Sequence, residues 1–243
     1  MKRTIVFLLC MIGIIITFGQ NRTQNLLQEI KCTPPQFTGI DKAVPILVER
    51  KFPAIEQYLI DHITYPEEDL RYYNQGTEVV SFFITPVGNL TDIKIINSVS
   101  NGIDRAIIEA LEATNGMWKP GYNDDKPAAM EKEISIIFKI GDFAGNNFTK
   151  MAKHLYADGS RALLKNSNPK KALRSFDNAM VYIPNDKALL VLRGLTRFEL
   201  GNKEGALKDW TRVKTLGGIE SQDYLDNFNS LKGYAELRNF IAN

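Results

Sequence analysis

Alternating and clustered apolar residues between positions 77 and 140 predict three β-strands. Residues 77–85 are apolar on both faces, which is typical of a strand at the centre of a sheet. Residues 90–99 carry Ile93 and Ile95 on one face only, and residues 130–140 alternate with a clear period of two. We expect the strand at 77–85 to lie between its neighbours.

Two helical stripes accompany these strands. The first begins near Pro53 and is expected to end before Pro66, because the residue before a proline is pushed out of the helical region. The second helix covers residues 103–111. Between the first two strands, Gly88 is placed to close a short hairpin. The order helix, strand, strand, helix, strand predicts an α+β fold: a small antiparallel sheet with two helices on one face.

The C-terminal part of the chain carries no strand pattern, and it matches itself at an offset of 34 residues. The matched pairs are Ser160 and Gly194, Ala172 and Ala206, Phe176 and Trp210, and Ala179 and Val213. This period resembles that of tetratricopeptide helical hairpins and predicts an all-α domain at residues 151–243 after a linker at 142–150. A capping helix is expected within residues 221–242. Arg193 and Arg197 depart from the apolar residues usual in that family, which indicates a degenerate second unit.

The N-terminus has the organisation of an export signal. Lys2 and Arg3 precede an apolar run at residues 4–18, and small residues near Gly19 favour cleavage before Gln20. The alternative is an uncleaved membrane anchor, although the run is shorter than the roughly 20 residues of a membrane-spanning helix. Residues 20–47 are interpreted as a spacer, in which Cys32 would be the only cysteine of the mature chain. It would pair between chains, be reactive, or be an ordinary residue of a flexible segment.

Five short motifs in the middle of the chain stand in the order and approximate spacing of one bacterial family. They are Val48-Glu49-Arg50-Lys51-Phe52-Pro53, Tyr65-Pro66-Glu67-Glu68, Gln75-Gly76, Gly88-Asn89-Leu90-Thr91-Asp92 and Trp118-Lys119-Pro120-Gly121. With the predicted helices and strands, residues 48–141 resemble the C-terminal domain of the TonB energy transducer and its relatives. The family resemblance implies a long, proline-rich spacer that crosses the periplasm. The spacer of this chain departs from that pattern, because its roughly 30 residues reach only on the order of 100 Å even when fully extended.

The resemblance implies that the domain binds an extended peptide of an outer-membrane receptor by adding it to a sheet edge. The candidate edge is the last strand, with the partner-binding residues Glu133, Ile134, Ser135, Ile136, Ile137 and Phe138. The alternative is a core strand whose edge is protected or forms a homodimer. In the repeat domain, helix geometry places His154, Arg161 and Lys165 near one face, either as a groove for an acidic peptide or as a solvated face.

Charge and motifs point away from other function classes. The net charge of +2 argues against a nucleic-acid binder. Phosphate-binding loops, nucleophile elbows and zinc-type Cys/His spacings do not appear, so we expect no cofactor, no metal and no enzyme. His62 beside Asp61 is interpreted as a solvated helix face. The hypothesis is an exported protein-interaction module that binds envelope proteins in the periplasm or outside the cell, with a membrane-anchored energy-coupling subunit as the alternative.

Overall fold

A three-stranded antiparallel sheet lies at the centre of the first half of the chain. The computed structural model describes residues 31–39, 54–141 and 147–231. The elements of this half are β1 (Cys32–Thr33), β2 (Gln36–Phe37), α1 (Ala54–His62), α2 (Glu67–Tyr72), β3 (Gly76–Ile84), β4 (Leu90–Asn97), α3 (Asn101–Glu112), β5 (Trp118–Lys119), β6 (Gly121–Asn123), β7 (Lys126–Ala128) and β8 (Met130–Phe138). The main sheet has the order β4-β3-β8.

The central position predicted for the strand at 77–85 is confirmed. β3 pairs antiparallel with β4 on one side and with β8 on the other, and almost all of its residues are buried. Helices α1 and α3 pack on one face of the sheet, so the mixed α+β prediction holds for this half. The shared core contains Leu59, Val80, Phe82, Ile84, Ile103, Ile107, Leu111, Ile134, Ile136 and Phe138.

The turns and helix ends follow the sequence with one addition. Gly88 adopts a φ of +85° and its amide donates to the carbonyl of Thr85, which closes the predicted hairpin. The first helix ends at His62, ahead of Pro66, and Pro66 then serves as the N-cap residue of α2. The sequence did not predict α2, because six residues with one strongly apolar side chain, Leu70, carry no helical stripe.

Part of the predicted spacer at 20–47 is structured, and that prediction is wrong for residues 32–37. Cys32 pairs with Asn123 across β1 and β6, and Phe37 pairs with Trp118 across β2 and β5. The Phe37 ring lies 5.0 Å from that of Trp118 and 5.3 Å from that of Tyr58. The Phe37 side chain therefore packs this segment against the core. The sequence did not predict these strands, because two or three residues are too few to show a periodicity.

Several predictions concern residues outside the described ranges. The signal peptide at 1–19, the remainder of the spacer and the motif at 48–53 all lie there. Within the ranges that the structure describes, no helix is long and apolar enough to span a membrane.

The second half of the described chain is built from helices. These are α4 (Phe148–Leu164), α5 (Pro169–Met180), α6 (Lys187–Glu199), α7 (Lys203–Thr215) and α8 (Gln222–Asp226). Four of them begin at a side-chain cap, from Asn147, Asn168, Asp186 and Asn202. Because α4 already starts at Phe148, the linker predicted at 142–150 extends too far; residues 142–146 lie outside the described ranges.

The residues that repeat at a spacing of 34 lie where the helices touch. A Cβ at Gly194 would lie 2.4 Å from Nε1 of Trp210, and a Cβ at Gly159 would lie 2.5 Å from the ring of Phe176. In the first unit the close approach is thus at Gly159, one residue before the predicted Ser160. The ring of Tyr224 from α8 stacks on Trp210 at 5.1 Å, so the start of the predicted capping segment is helical; residues 232–243 lie outside the described ranges.

Arg193 and Arg197, the two departures from the repeat pattern, form one charged cluster. Both donate to the carboxylate of Asp209, at 2.6–3.0 Å, and both also approach Asp177. Asp209 is buried between α6 and α7. The two arginines of α6 therefore form ion pairs with the neighbouring helices α5 and α7. Membership of the tetratricopeptide class remains a prediction for this half.

Candidate functional site

The strand predicted to bind a partner, β8, lies at the end of the main sheet. It pairs with β3 through nine consecutive residues without a bulge. Among the described residues no strand lies on its other side. The six predicted residues divide into two groups: Ile134, Ile136 and Phe138 are buried in the core, whereas Glu133, Ser135 and Ile137 point to the opposite, outer face.

The direction of the backbone groups of β8 follows from Thr77, which stands opposite Ile137. The Thr77 amide donates to the carbonyl of Val181 at 2.8 Å, and its carbonyl accepts from Nδ2 of Asn97 at 2.8 Å. Both backbone groups of Thr77 therefore point away from β8. In an antiparallel ladder this makes Thr77 and Ile137 a pair without mutual hydrogen bonds, and such pairs alternate with bonded ones.

Every second residue of β8 therefore presents its backbone N–H and C=O groups to the outer edge of the sheet. The N–H and C=O groups of Glu131, Glu133, Ser135 and Ile137 point away from β3, and those of Ile134 and Ile136 bond to it. The residues whose backbone faces the edge are the same residues whose side chains lie on the outer face. This phase could not be read from the sequence, because it depends on the register of β8 against β3, which the hydrogen bonds of Thr77 reveal.

The helical half contacts both β3 and β8. On the outer face of β3, Oγ1 of Thr77 donates to the carbonyl of Tyr182 at 2.7 Å. At the start of β3, a Cβ on Gly76 would lie 2.6 Å from the carbonyl oxygen of Val181. On β8, the guanidinium of Arg212 donates to both carboxylate oxygens of Glu133 at 2.6 Å. The predicted binding residue Glu133 is therefore engaged by α7.

A groove of about 740 Å³ separates α7 from the outer face of the sheet. Ile96 of β4 and Leu207 of α7 contribute apolar side chains that remain 43% and 40% exposed. The described residues that line the groove are Ile96, Glu131, Glu133, Leu207, Lys208, Thr211, Arg212, Thr215 and Leu216. The sequence did not predict this groove, because its walls come from β4, β8 and α7.

The second predicted site, in the repeat domain, is dispersed. His154, Arg161 and Lys165 are all exposed, and Lys165 is the residue that follows α4. Arg161 donates to Asp158 at 3.0 Å, one turn earlier on the same helix. The structure thus gives a charged helix surface at this position rather than a cluster converging on one point.

His62 and Asp61, which are neighbours on the first helix, each have a structural partner. Nδ1 of His62 lies 2.7 Å from the carbonyl of Tyr58, while Asp61 accepts from Gln57. Asp124 accepts from the amide of Lys31 and so holds the N-terminal segment in place. Within the part of the chain that the structure describes, no group of three or more His, Cys, Asp or Glu side chains is arranged to hold a metal ion.

Glu78 is a buried carboxyl group that the sequence reasoning missed, although a glutamate inside the apolar run at 77–85 was a visible sign. It is fully buried on the core side of β3, and its Oε2 accepts from the amide of Val99 at 2.8 Å. Burial raises the pKa of Glu78 to about 8; the Val99 hydrogen bond opposes this and the nearby Asp104 adds to it. The side chain joins β3 to the segment that leads into α3.

Comparison with known proteins agrees with the resemblance for the first half of the chain. Two NMR solution structures of the Helicobacter pylori TonB-CTD are similar to this half. The first is 23% identical in sequence, and the match covers 37% of this chain and 79% of that chain with a TM-score of 0.31. The second, a shorter chain, is 22% identical, and the match covers 37% of this chain and 92% of that chain with a TM-score of 0.30. No curated protein sequence matches the chain. Residues 61–140, which contain α2, β3, β4, α3 and β8, match the family described as the Gram-negative bacterial TonB protein C-terminal.

Proposed function

We propose that this protein is an exported, non-enzymatic binding module of the bacterial cell envelope. It binds an extended segment of an envelope protein, such as an outer-membrane receptor peptide, along the outer edge of β8. The observation that carries the proposal is the phase of this strand: the backbone groups of Glu133, Ser135 and Ile137 point away from β3. Main-chain hydrogen bonds at such an edge supply affinity for extended peptides whatever their sequence.

The inner face of β8 supports this role because it holds the strand in place. Ile134, Ile136 and Phe138 are buried against the core, so the edge is ordered before a partner arrives. A preordered edge lowers the conformational entropy that binding costs. The helical half adds a second surface, on which the exposed His154, Arg161 and Lys165 would serve a second protein contact.

The location of the protein is part of the same proposal. The family match at residues 61–140 supports a place in the periplasm or envelope. The alternative, a membrane-anchored energy-coupling subunit, depends on residues 4–19, which lie outside the described ranges. N-terminal sequencing of the protein from its native host distinguishes the two, because a chain that begins at Gln20 has lost the anchor.

Site-specific photocrosslinking in the native host tests the edge. A photoreactive phenylalanine derivative replaces Ile137, which is 64% exposed at the edge, or Ile60, which is 44% exposed on α1 and serves as the control. We expect adducts with an envelope protein from position 137 and none of the same mass from position 60.

A proline at Ser135 provides the second arm of the experiment, because it removes an outward N–H and leaves the ladder to β3 intact. The adducts from position 137 should then disappear while the circular dichroism spectrum is retained. An adduct only with a second copy of this chain would assign the edge to a homodimer and overturn the proposal. Adducts that persist with Ser135→Pro would overturn it as well.

A further inference from the structure

The outer face of β8 carries two glutamates, of which one forms an ion pair with the helical half and the other does not. Glu133 is neutralised by the two-pronged ion pair with Arg212. Glu131, two residues earlier on the same face, is exposed, and among the described residues it has no ion-pair partner. The helical half therefore leaves one negative charge at the rim of the groove between α7 and the sheet.

The groove beside Glu131 has the composition that the stem of a long cationic side chain requires. Ile96, Leu207 and Leu216 offer apolar surface for methylene groups, and the hydroxyl of Thr211 offers a hydrogen-bond acceptor. Both cations among the described lining residues are already engaged, Arg212 by Glu133 and Lys208 by Glu204 at 2.8 Å. Neither of them neutralises Glu131.

Glu131 belongs both to the groove, through its side chain, and to the outer edge of β8, through its backbone. Its N–H and C=O point to the outer edge, so a strand added there would place one residue directly opposite it. Side chains of directly opposed residues start about 5 Å apart and lie on the same face of the sheet. A lysine or arginine opposite Glu131 would reach its carboxylate and extend along the apolar wall of the groove.

We propose that Glu131 and the groove beneath α7 select a basic residue in the peptide that pairs with β8. This proposal rests on the proposed function and deepens it, since it names the chemistry of the partner: an extended segment with a lysine or arginine on the side that faces the helical half. Both halves of the chain then contribute to recognition, β8 through its backbone and α7 through the wall of the groove.

Selection from a phage library of random twelve-residue peptides on the purified full chain tests the proposal. Four chains are compared: wild type, Ser135→Pro, Glu131→Lys and, as a matched charge control, Glu112→Lys on the exposed side of α3. Wild type and Glu112→Lys should enrich peptides with a basic residue at one fixed position. Glu131→Lys should lose that preference, and a selected peptide should bind it about fivefold more weakly or worse.

The outcomes separate the two proposals. Enriched peptides that lose binding to Ser135→Pro, but show no basic preference or the same preference with Glu131→Lys, overturn the selectivity proposal and leave edge binding in place. Peptides that bind Ser135→Pro as well as wild type, or a library that yields no enriched peptide, overturn edge binding and with it the selectivity proposal. Circular dichroism and thermal unfolding of each variant establish that it is folded.

Discussion

Arg212 of α7 and Glu133 of β8 form a two-pronged ion pair that joins the helical half to the edge strand. Both nitrogen–oxygen distances are 2.6 Å, and Arg212 also donates to Oδ1 of Asn185. The two side chains are 15% and 30% exposed, so solvent screens the pair less than it screens a surface pair. The residues are 79 positions apart in the chain.

The first prediction concerns the strength of this ion pair. A double-mutant cycle with Arg212→Ala and Glu133→Ala, measured by urea unfolding, should give a coupling free energy of about 1–2 kcal/mol. The matched control is the exposed pair of Arg161 and Asp158, for which we expect about 0.5 kcal/mol or less. Equal coupling in the two cycles would contradict a specific role of the Arg212–Glu133 pair in joining the halves.

Glu78 gives the second prediction, which is a dependence of stability on pH. Its pKa rises from the ordinary value of 4.5 to about 8 in the folded chain. Between these values the folded chain keeps a proton that the unfolded chain has lost, so the free energy of unfolding should fall as the pH rises from about 4.5 through about 8. Below and above this window Glu78 contributes no slope.

The substitution Glu78→Gln keeps the shape of the side chain and removes the titration. Urea unfolding at several values of pH from 5 to 9 should show a shallower decline of stability for Glu78→Gln than for the wild type. Glu112→Gln on the surface of α3 is the control and should keep the wild-type slope. A Glu78→Gln chain with the wild-type slope would mean that another group controls the decline.

Asp209 carries the third prediction. It is 3% exposed and accepts hydrogen bonds from Arg193 and Arg197, so Asp209→Ala leaves two guanidinium groups in a poorly solvated position. We expect a loss of about 3 kcal/mol in the free energy of unfolding. Asp177→Ala, which removes the more exposed partner of the same arginines, should cost about 1 kcal/mol or less. The reverse order would contradict the arrangement of the cluster.

Sequence patterns predicted the longer elements and missed the short ones for a physical reason. β3, β8 and α3 are long enough for several periods of apolar residues, and the 34-residue repeat identified the helix contacts around Trp210. Strands of two or three residues, such as β2 with Phe37, hold less than one readable period. β2 lies where the Phe37 ring packs against the rings of Trp118 and Tyr58, which come from distant parts of the chain.

The candidate site shows the same division between local and long-range information. Alternation along residues 130–140 located the last strand and its buried residues Ile134 and Ile136, while its place at the sheet edge was implied by the family resemblance. The outward direction of the backbone groups of Ser135 and Ile137 depends on the register of β8 against β3, and the ion pair of Glu133 depends on α7. Contacts between distant segments leave no pattern in a single sequence, so the groove and its charge balance required the structure.

Residue-resolved amide hydrogen exchange on β8 tests the central claim most directly. In the free chain the amides of Glu133, Ser135 and Ile137 should exchange rapidly, while those of Ile134 and Ile136, which bond to β3, should be protected. A peptide selected on the full chain should then protect the first set and leave the second unchanged. Protection of Glu133, Ser135 and Ile137 already in the free chain, or no change when the peptide is bound, would contradict a partner strand at this edge.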